Sequence, residues 1–166
     1  MQIGKGVEWA AHACTLLAAL PKDWALPAEA LAAYHDVPPA YMAKQMQALA
    51  RAGLVVSRRG AAGGYRLAKP ALEITLWDIT AALEGSSPAF RCTEIRQNGP
   101  CGSAPEACRT PCAIAASFHA AEAAFRDSLK TVSLFDVMTK VAGQSDPAKN
   151  KTIVAWIEEN ATRAEG

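Results

Sequence analysis

The sequence lacks any run of 18 uncharged apolar residues, so no segment reaches the roughly 20 residues a spanning helix needs. It also lacks a dominant charge. Seventeen Lys and Arg face 16 Asp and Glu, and a net +1 points to no partner by itself. No Ser/His/Asp or Cys/His arrangement with orienting partners occurs. A phosphate-cradling glycine loop and paired carboxylates in a predicted cleft are missing too, so an enzyme is not expected. There is no internal repeat, and no low-complexity tract beyond an alanine bias. The five cysteines are an odd count, which argues against a disulfide framework. The opening MQIGKGVEWAAHACTLLAAL resembles a secretory leader superficially. Glu8 and His12 interrupt its apolar part, and it is read as a helix of the fold in a chain expected to be cytoplasmic.

What is present is a core-forming composition, 51% hydrophobic over 166 residues, which suits one compact domain with an extension. Charge is unevenly placed. Residues 1–70 carry eight bases and four acids, and the remainder nine bases and twelve acids. A basic first half joined to an acidic second half suits nucleic-acid binding on one side and another task on the other.

Apolar spacing of three and four predicts a helix over 4–20, with Val7, Ala10, Ala11, Cys14, Leu17 and Ala18 on one stripe. Cys14 there is expected to be a small core residue. A second helix is predicted over 27–36 and a third over 37–53, opened by Pro39 and stopped by Gly53. Two β-prone runs, Leu54–Ser57 and Tyr65–Ala68, flank RRGAAGG and read as a hairpin. Thr75 caps a fourth helix over 75–85, with Asp78 completing a capping-box spacing. A long helix follows from about Pro111. Its stripe Ile114, Phe118, Ala121, Phe125 and Leu129 could meet the same stripe of a second subunit. A short helix over 133–141, a polar linker over 143–150 and a terminal helix docking through Ile153, Trp156 and Ile157 complete the chain.

The expected fold is mainly α with a small β-hairpin wing: a winged helix-turn-helix domain plus a long C-terminal dimerisation helix. Its parts are 1–85, the DNA-binding domain; 86–112, a cysteine-bearing loop; 113–142, the dimerisation helix and a short helix; and 143–166, the linker and last helix. A third helix of this kind can enter the major groove, where Tyr41, Lys44, Gln45 and Gln47 are the candidate readers. Arg58 and Arg59 sit at the wing tip, where positive charge suits backbone or minor groove. Taken singly, each of these side chains is better explained as part of a solvated polar face. Together, three helices and a basic glycine-rich hairpin favour double-stranded DNA.

Four cysteines lie in RCTEIRQNGPCGSAPEACRTPC, spaced C-x8-C-x6-C-x3-C as Cys92, Cys101, Cys108 and Cys112. A structural zinc site usually has two short pairs, and only the last two residues form one. Ferredoxin-type spacing is absent as well. If the turn between Cys108 and Cys112 is helical, their sulfurs share a direction, and a helix N-terminus favours thiolates. In the first helix Glu8 and His12 are four residues apart and share a face. They are either a ligand pair or an ordinary surface hydrogen bond. Trp9, between them in sequence, could shield a bound group or relay its state.

The run YMAKQMQALARAGLVVSRRGAAGGYRLAKP, followed by EITLWDITAALEG, resembles the Rrf-two family of winged-helix transcription regulators, the family of IscR, NsrR and RsrR. The likeness spans roughly residues 1–142, with GGYRLA its most specific piece. GVEWAAH, LAAYHDV and CTEIRQNGP resemble the RsrR-like branch most. The resemblance implies a homodimer on operator DNA, with an iron–sulfur cluster sensing redox state. In RsrR-like members a first-helix glutamate and histidine of one subunit join two loop cysteines of the other. The matching positions are Glu8, His12, Cys108 and Cys112, which supply the four ligands of a [2Fe–2S] cluster. Many family members use three loop cysteines plus one other ligand. That leaves open a nitric-oxide-sensing [4Fe–4S] alternative on Cys92, Cys101 and Cys108 with Glu8, with Cys92 and Cys101 otherwise spare or structural thiols. A cluster-free module responding to thiol oxidation or a small ligand is the remaining reading.

Overall fold

A computed structural model describes residues 3–58, 60 and 63–163. The elements run α1 (Lys5–Ala18), β1 (Trp24–Ala25), α2 (Ala28–Tyr34), α3 (Pro39–Arg51), β2 (Val55–Arg58) and β3 (Gly64–Leu67). They continue α4 (Leu76–Glu84), α5 (Ala113–Lys130), α6 (Leu134–Gln144), α7 (Pro147–Asn160) and β4 (Thr162–Arg163). The expected winged helix-turn-helix is formed. Three helices precede an antiparallel β2–β3 wing, in which Val55 faces Leu67 and Arg58 faces Gly64.

The apolar stripes of the first three helices meet in one core. Ala10, Ala13, Cys14, Leu31, Met42, Met46 and Leu49 have essentially no exposed surface. Each large side chain of that set contributes roughly 1.5–3 kcal/mol by leaving water. Gly53, at φ +71, ends α3 in the left-handed conformation glycine adopts freely.

α4 and α6 begin in the same way. Thr75-Leu76-Trp77-Asp78-Ile79 and Ser133-Leu134-Phe135-Asp136-Val137 are the same short capping pattern read twice. Each first residue caps its helix through a two-way capping box with its aspartate. Thr75 and Ser133 face each other in an antiparallel bridge. Leu134 N donates to Ile74 O at 2.7 Å and Leu76 N to Val132 O at 3.0 Å. This pairing returns the chain from the end of α5 to the DNA-binding domain.

Two expectations change. The linker over 143–150 is almost absent, because α6 continues to Gln144 and α7 starts at Pro147. Asp146 caps α7 by accepting from Ala148 N at 2.9 Å, and Pro147 supplies the preset first turn. The end of the chain also adds a strand. β4 pairs with β1, Trp24 opposite Arg163 and Ala25 opposite Thr162. Ile157 is buried and Ile153 and Trp156 pack on the core, as the docking face requires.

Candidate functional site

Two groups of candidate residues lie on different faces. The first is on α3 and the wing. With Met42, Met46 and Leu49 turned into the core, helical periodicity leaves Tyr41, Lys44 and Gln47 in solvent. Gln45 is only half exposed and packs against α1. A Cβ on Gly6 would fall 2.8 Å from its Nε2, so glycine makes room for this amide. Gln45 therefore belongs first to the α1–α3 seam.

On the wing, Val56 pairs with Arg66 and Arg58 with Gly64. Alternation along each strand puts Arg58 and Arg66 on one face. They line a concavity of about 180 Å³ with Ser57 and Ala25. Arg58 Nη1 is buried without a hydrogen-bond partner, whereas Arg66 is exposed and open to an incoming anion. Arg66 was missed in the sequence, although the alternation of the GYRL strand contains the signal. Arg59 lies outside the described residues.

The second group lies on α1 and the cysteine loop. Glu8 and His12 are exposed one turn apart on α1. Thr15 Oγ1 donates to His12 O at 2.7 Å. The His12 ring lies beside that of His35, centroids 5.6 Å apart. His35 is the C-cap of α2, and burial together with the nearby His12 holds its imidazole below its ordinary pKa. Trp9 meets the Tyr41 ring edge-on, at 6.2 Å.

The loop is fastened to α5 at its start. Ala89 N donates to Glu122 at 3.0 Å, and Arg126 Nη2 bonds both Glu122 and Ser87 O while its guanidinium lies 5.0 Å over Trp77. Phe90 stacks on Phe118 of α5 at 4.7 Å. Within the loop Arg96 is the organiser. It forks onto Glu94 through Nε and Nη2, and Nη2 also donates to Thr110 O at 2.8 Å. Its hydrogen bond with Glu94, and the nearby Cys108 and Cys112, push the guanidinium still higher in pKa.

Cys108 closes a 3-10 turn (Pro105–Cys108), and Cys112 is the extended N-cap of α5, with Sγ accepting from Ala115 N at 3.3 Å. The chain between them is not helical. Pro111 biases Thr110 away from the helical region, so the i, i+4 alignment anticipated for the two sulfurs does not form. What they share is the Arg96 charge. Cys92 and Cys101 are exposed, and Cys92 Sγ accepts from Glu94 N at 3.4 Å. Cys14 is buried in the core, and desolvation pushes its thiol up to about 12.

Among the described residues, no three His, Cys, Asp or Glu side chains converge on one point within the chain. The donor set nevertheless suits an iron–sulfur group. Two half-buried thiols lie beside a fixed arginine, one of them at a helix N-terminus. Glu8 and His12 face solvent and are free to meet ligands from another subunit. No helix among the described residues is long and apolar enough to cross a membrane.

Comparison with known proteins agrees with the fold. Residues 3–140 match the Rrf2 family model, described as an iron-dependent transcriptional regulator. YwgB of Bacillus subtilis, named for an HTH-type transcriptional regulator, is 37% identical over 91 residues, 55% of this chain and 58% of that protein. The match therefore spans less than two thirds of that relative's length. T. potens IscR superposes with a TM-score of 0.65 at 20% identity, covering 88% of this chain and 93% of that one. The oxidized form of Staphylococcus aureus CymR gives a TM-score of 0.61 at 26% identity, covering 83% and 96%. With most of its length inside the family match and the winged helix formed as that match requires, the chain belongs to the Rrf2 family of transcriptional regulators.

Proposed function

We propose that the protein is a homodimeric, DNA-binding regulator whose operator affinity is set by a [2Fe–2S] cluster. Glu8 and His12 of one subunit and Cys108 and Cys112 of the other would hold it. The carrying observation is the division of the donors. Carboxylate and imidazole stand exposed on α1, while the two thiols are gathered separately around Arg96, at the start of α5.

The apolar face of α5 supports the dimer. Ile114 is 67% exposed, and Phe118, stacked on Phe90 on one side, is still 53% exposed, apolar surface of the kind that closes against a symmetry mate. Tyr41, Lys44 and Gln47 would read the major groove. Arg58 and Arg66 would hold backbone phosphates, which fix register rather than sequence.

A bound cluster of this ligand type supplies a one-electron redox change at a higher potential than an all-thiolate one. The chain's own residues do the rest. Glu8 and His12 present a carboxylate and an imidazole one turn apart on α1. Trp9, between them, touches Tyr41 of the reading helix, so the ligand face and the reading face share one aromatic contact. Arg96 keeps the loop closed and its thiols in a positive field.

A second reading is a thiol-responsive regulator without a cluster. The likeness to a CymR solved in an oxidized form and the exposed thiols of Cys92 and Cys101 favour it. Iron and sulfide analysis of anaerobically purified protein separates the two. The cluster reading expects about two irons and two sulfides per chain, lost on Glu8→Ala, His12→Ala, Cys108→Ala or Cys112→Ala. Iron-free, colourless protein that still binds operator would establish the second reading. Equal operator affinity of oxidised and reduced forms would refute the switch.

A further inference from the structure

α1, α2, α6 and α7 enclose a crevice of about 380 Å³, of whose lining the proposed function uses only His12. Its floor and walls are apolar: Leu16, Tyr34, Met138, Val141 and Ile153. Its polar rim carries His12, His35, Lys149 and Asn150, and no carboxylate lines it. The size falls within the range of small-molecule sites, which are mostly apolar with a few convergent polar groups. One full cation, two imidazoles and an amide set against an uncharged interior select for an anion carrying an apolar body. α7, which supplies Lys149, Asn150 and Ile153, lies outside the residues matched by the family model.

We propose that this crevice is a binding site for a small organic carboxylate with an aromatic or branched apolar body. The carboxylate lies at Lys149 and the rim imidazoles, and the body lies on Leu16, Met138 and Ile153. The helix that forms the wall is continuous with β4. There Thr162 Oγ1 bonds both Ala25 O, at 3.3 Å, and Gly63 O, at 3.1 Å, at the base of the wing. Occupancy of the crevice therefore has a covalent route to the DNA-binding domain that does not involve the cysteine loop.

The test uses the full chain, stripped of iron, so that its outcome is independent of the cluster. 2-Naphthoate and its neutral amide are titrated by isothermal calorimetry and by amide chemical-shift mapping. Expected are saturable binding of the acid at least tenfold tighter than the amide, and shifts centred on residues 16, 34, 149 and 153. Lys149→Met should weaken the acid about tenfold and leave the amide unchanged. Ile153→Trp, which fills the crevice, should abolish both, with circular dichroism confirming the fold. No saturable binding of the acid at millimolar concentration overturns the proposal. Equal affinities for acid and amide, or shifts that map to the Phe90–Phe118 face of α5, overturn it as well.

Discussion

Gly64 opens the second wing strand within GGYRLA, and its replacement by alanine tests why glycine stands there. The residue has φ +151, and an added Cβ would lie 2.7 Å from the carbonyl carbon of Leu26, 2.8 Å from its oxygen and 3.0 Å from Pro27 N. All three are backbone atoms. Leu26 and the wing hold each other by reciprocal bonds, Leu26 N to Tyr65 O at 3.0 Å and Tyr65 N to Leu26 O at 2.8 Å. No flexible side-chain end can move aside. The unfavourable backbone conformation costs about 1–3 kcal/mol, and forcing a methyl into filled space about 1–3 kcal/mol more. Gly64→Ala is therefore expected to lose about 3–4 kcal/mol. Gly53→Ala is the control, because at φ +71 nothing lies within 4 Å of its added Cβ, and only the conformational cost of about 1–2 kcal/mol remains. Urea unfolding followed by circular dichroism at one fixed protein concentration measures both. For a chain of this size 3 kcal/mol corresponds to roughly 6–12 °C in Tm. If Gly64→Ala loses no more than Gly53→Ala, the close approach of wing and Leu26 is wrong.

Arg58→Ala and Arg66→Ala should each weaken DNA binding almost equally on all sequences and lower the salt slope by about one; a change confined to one sequence would contradict phosphate contact. Cys14, with its thiol pushed up to about 12 by burial, should resist alkylation in folded, iron-free protein at pH 8 while Cys92 and Cys101 react, and should become reactive only in denaturant; peptide mapping of labelled protein reads this. Glu122 is held below the ordinary carboxylate pKa by the Ala89 N–H and then Arg126, and Asp136 by Ser133. Folded values depressed in this way contribute stability that is complete above the ordinary carboxylate range, and it is lost as pH falls from there through the lower folded values. Glu122→Gln should therefore reduce stability at pH 7 and flatten its acid decline, as measured by urea midpoints from pH 3 to pH 7; an unchanged pH profile would show that the carboxylate is not ionised in this network.

Where local chemistry dictates structure, the sequence was legible. The Thr75/Asp78 spacing, the Pro39 start, the Gly53 stop and the 3–4 periodicity of α1 and α3 each act within a few residues, and all have their counterparts in the structure. Asp146-Pro147 is an equally local cap, yet the polar run around it obscured the signal and made a linker of the first turn of α7. The β1–β4 pair was not legible, because each strand is two residues long and the pairing joins residue 24 to residue 163. The candidate site divides in the same way. Exposure of Tyr41, Lys44 and Gln47 follows from the helix period alone. The half-burial of Gln45 depends on a glycine in the first turn of another helix, and the grouping of Cys108 with Cys112 depends on Arg96, twelve residues upstream of the nearer one. Neither is a property of spacing.

These contacts constrain how a change at Glu8 and His12 could reach DNA. A sliding of α1 across α3 is disfavoured. The Gln45 amide packs over Gly6, and Ala10, Cys14, Met42 and Met46 are closed to solvent between the two helices. Close-packed interiors of this kind do not deform continuously. α1 and α3 must therefore travel together, with the Trp9–Tyr41 contact carried along. A second joint lies between this packed unit and α5, where Arg126 lies over Trp77 of α4 and the Thr75–Ser133 bridge ties the far end of α5 back. There the connection runs through the 85–112 loop, fastened mainly by the Glu122–Arg126 group and the Phe90–Phe118 stack. A switch built on the cluster would then work by tilting each whole DNA-binding domain against the α5 pair, altering the separation of two rigid reading heads. Loosening that joint, rather than the α1–α3 seam, is the change that should uncouple redox state from operator affinity while leaving the affinity itself intact.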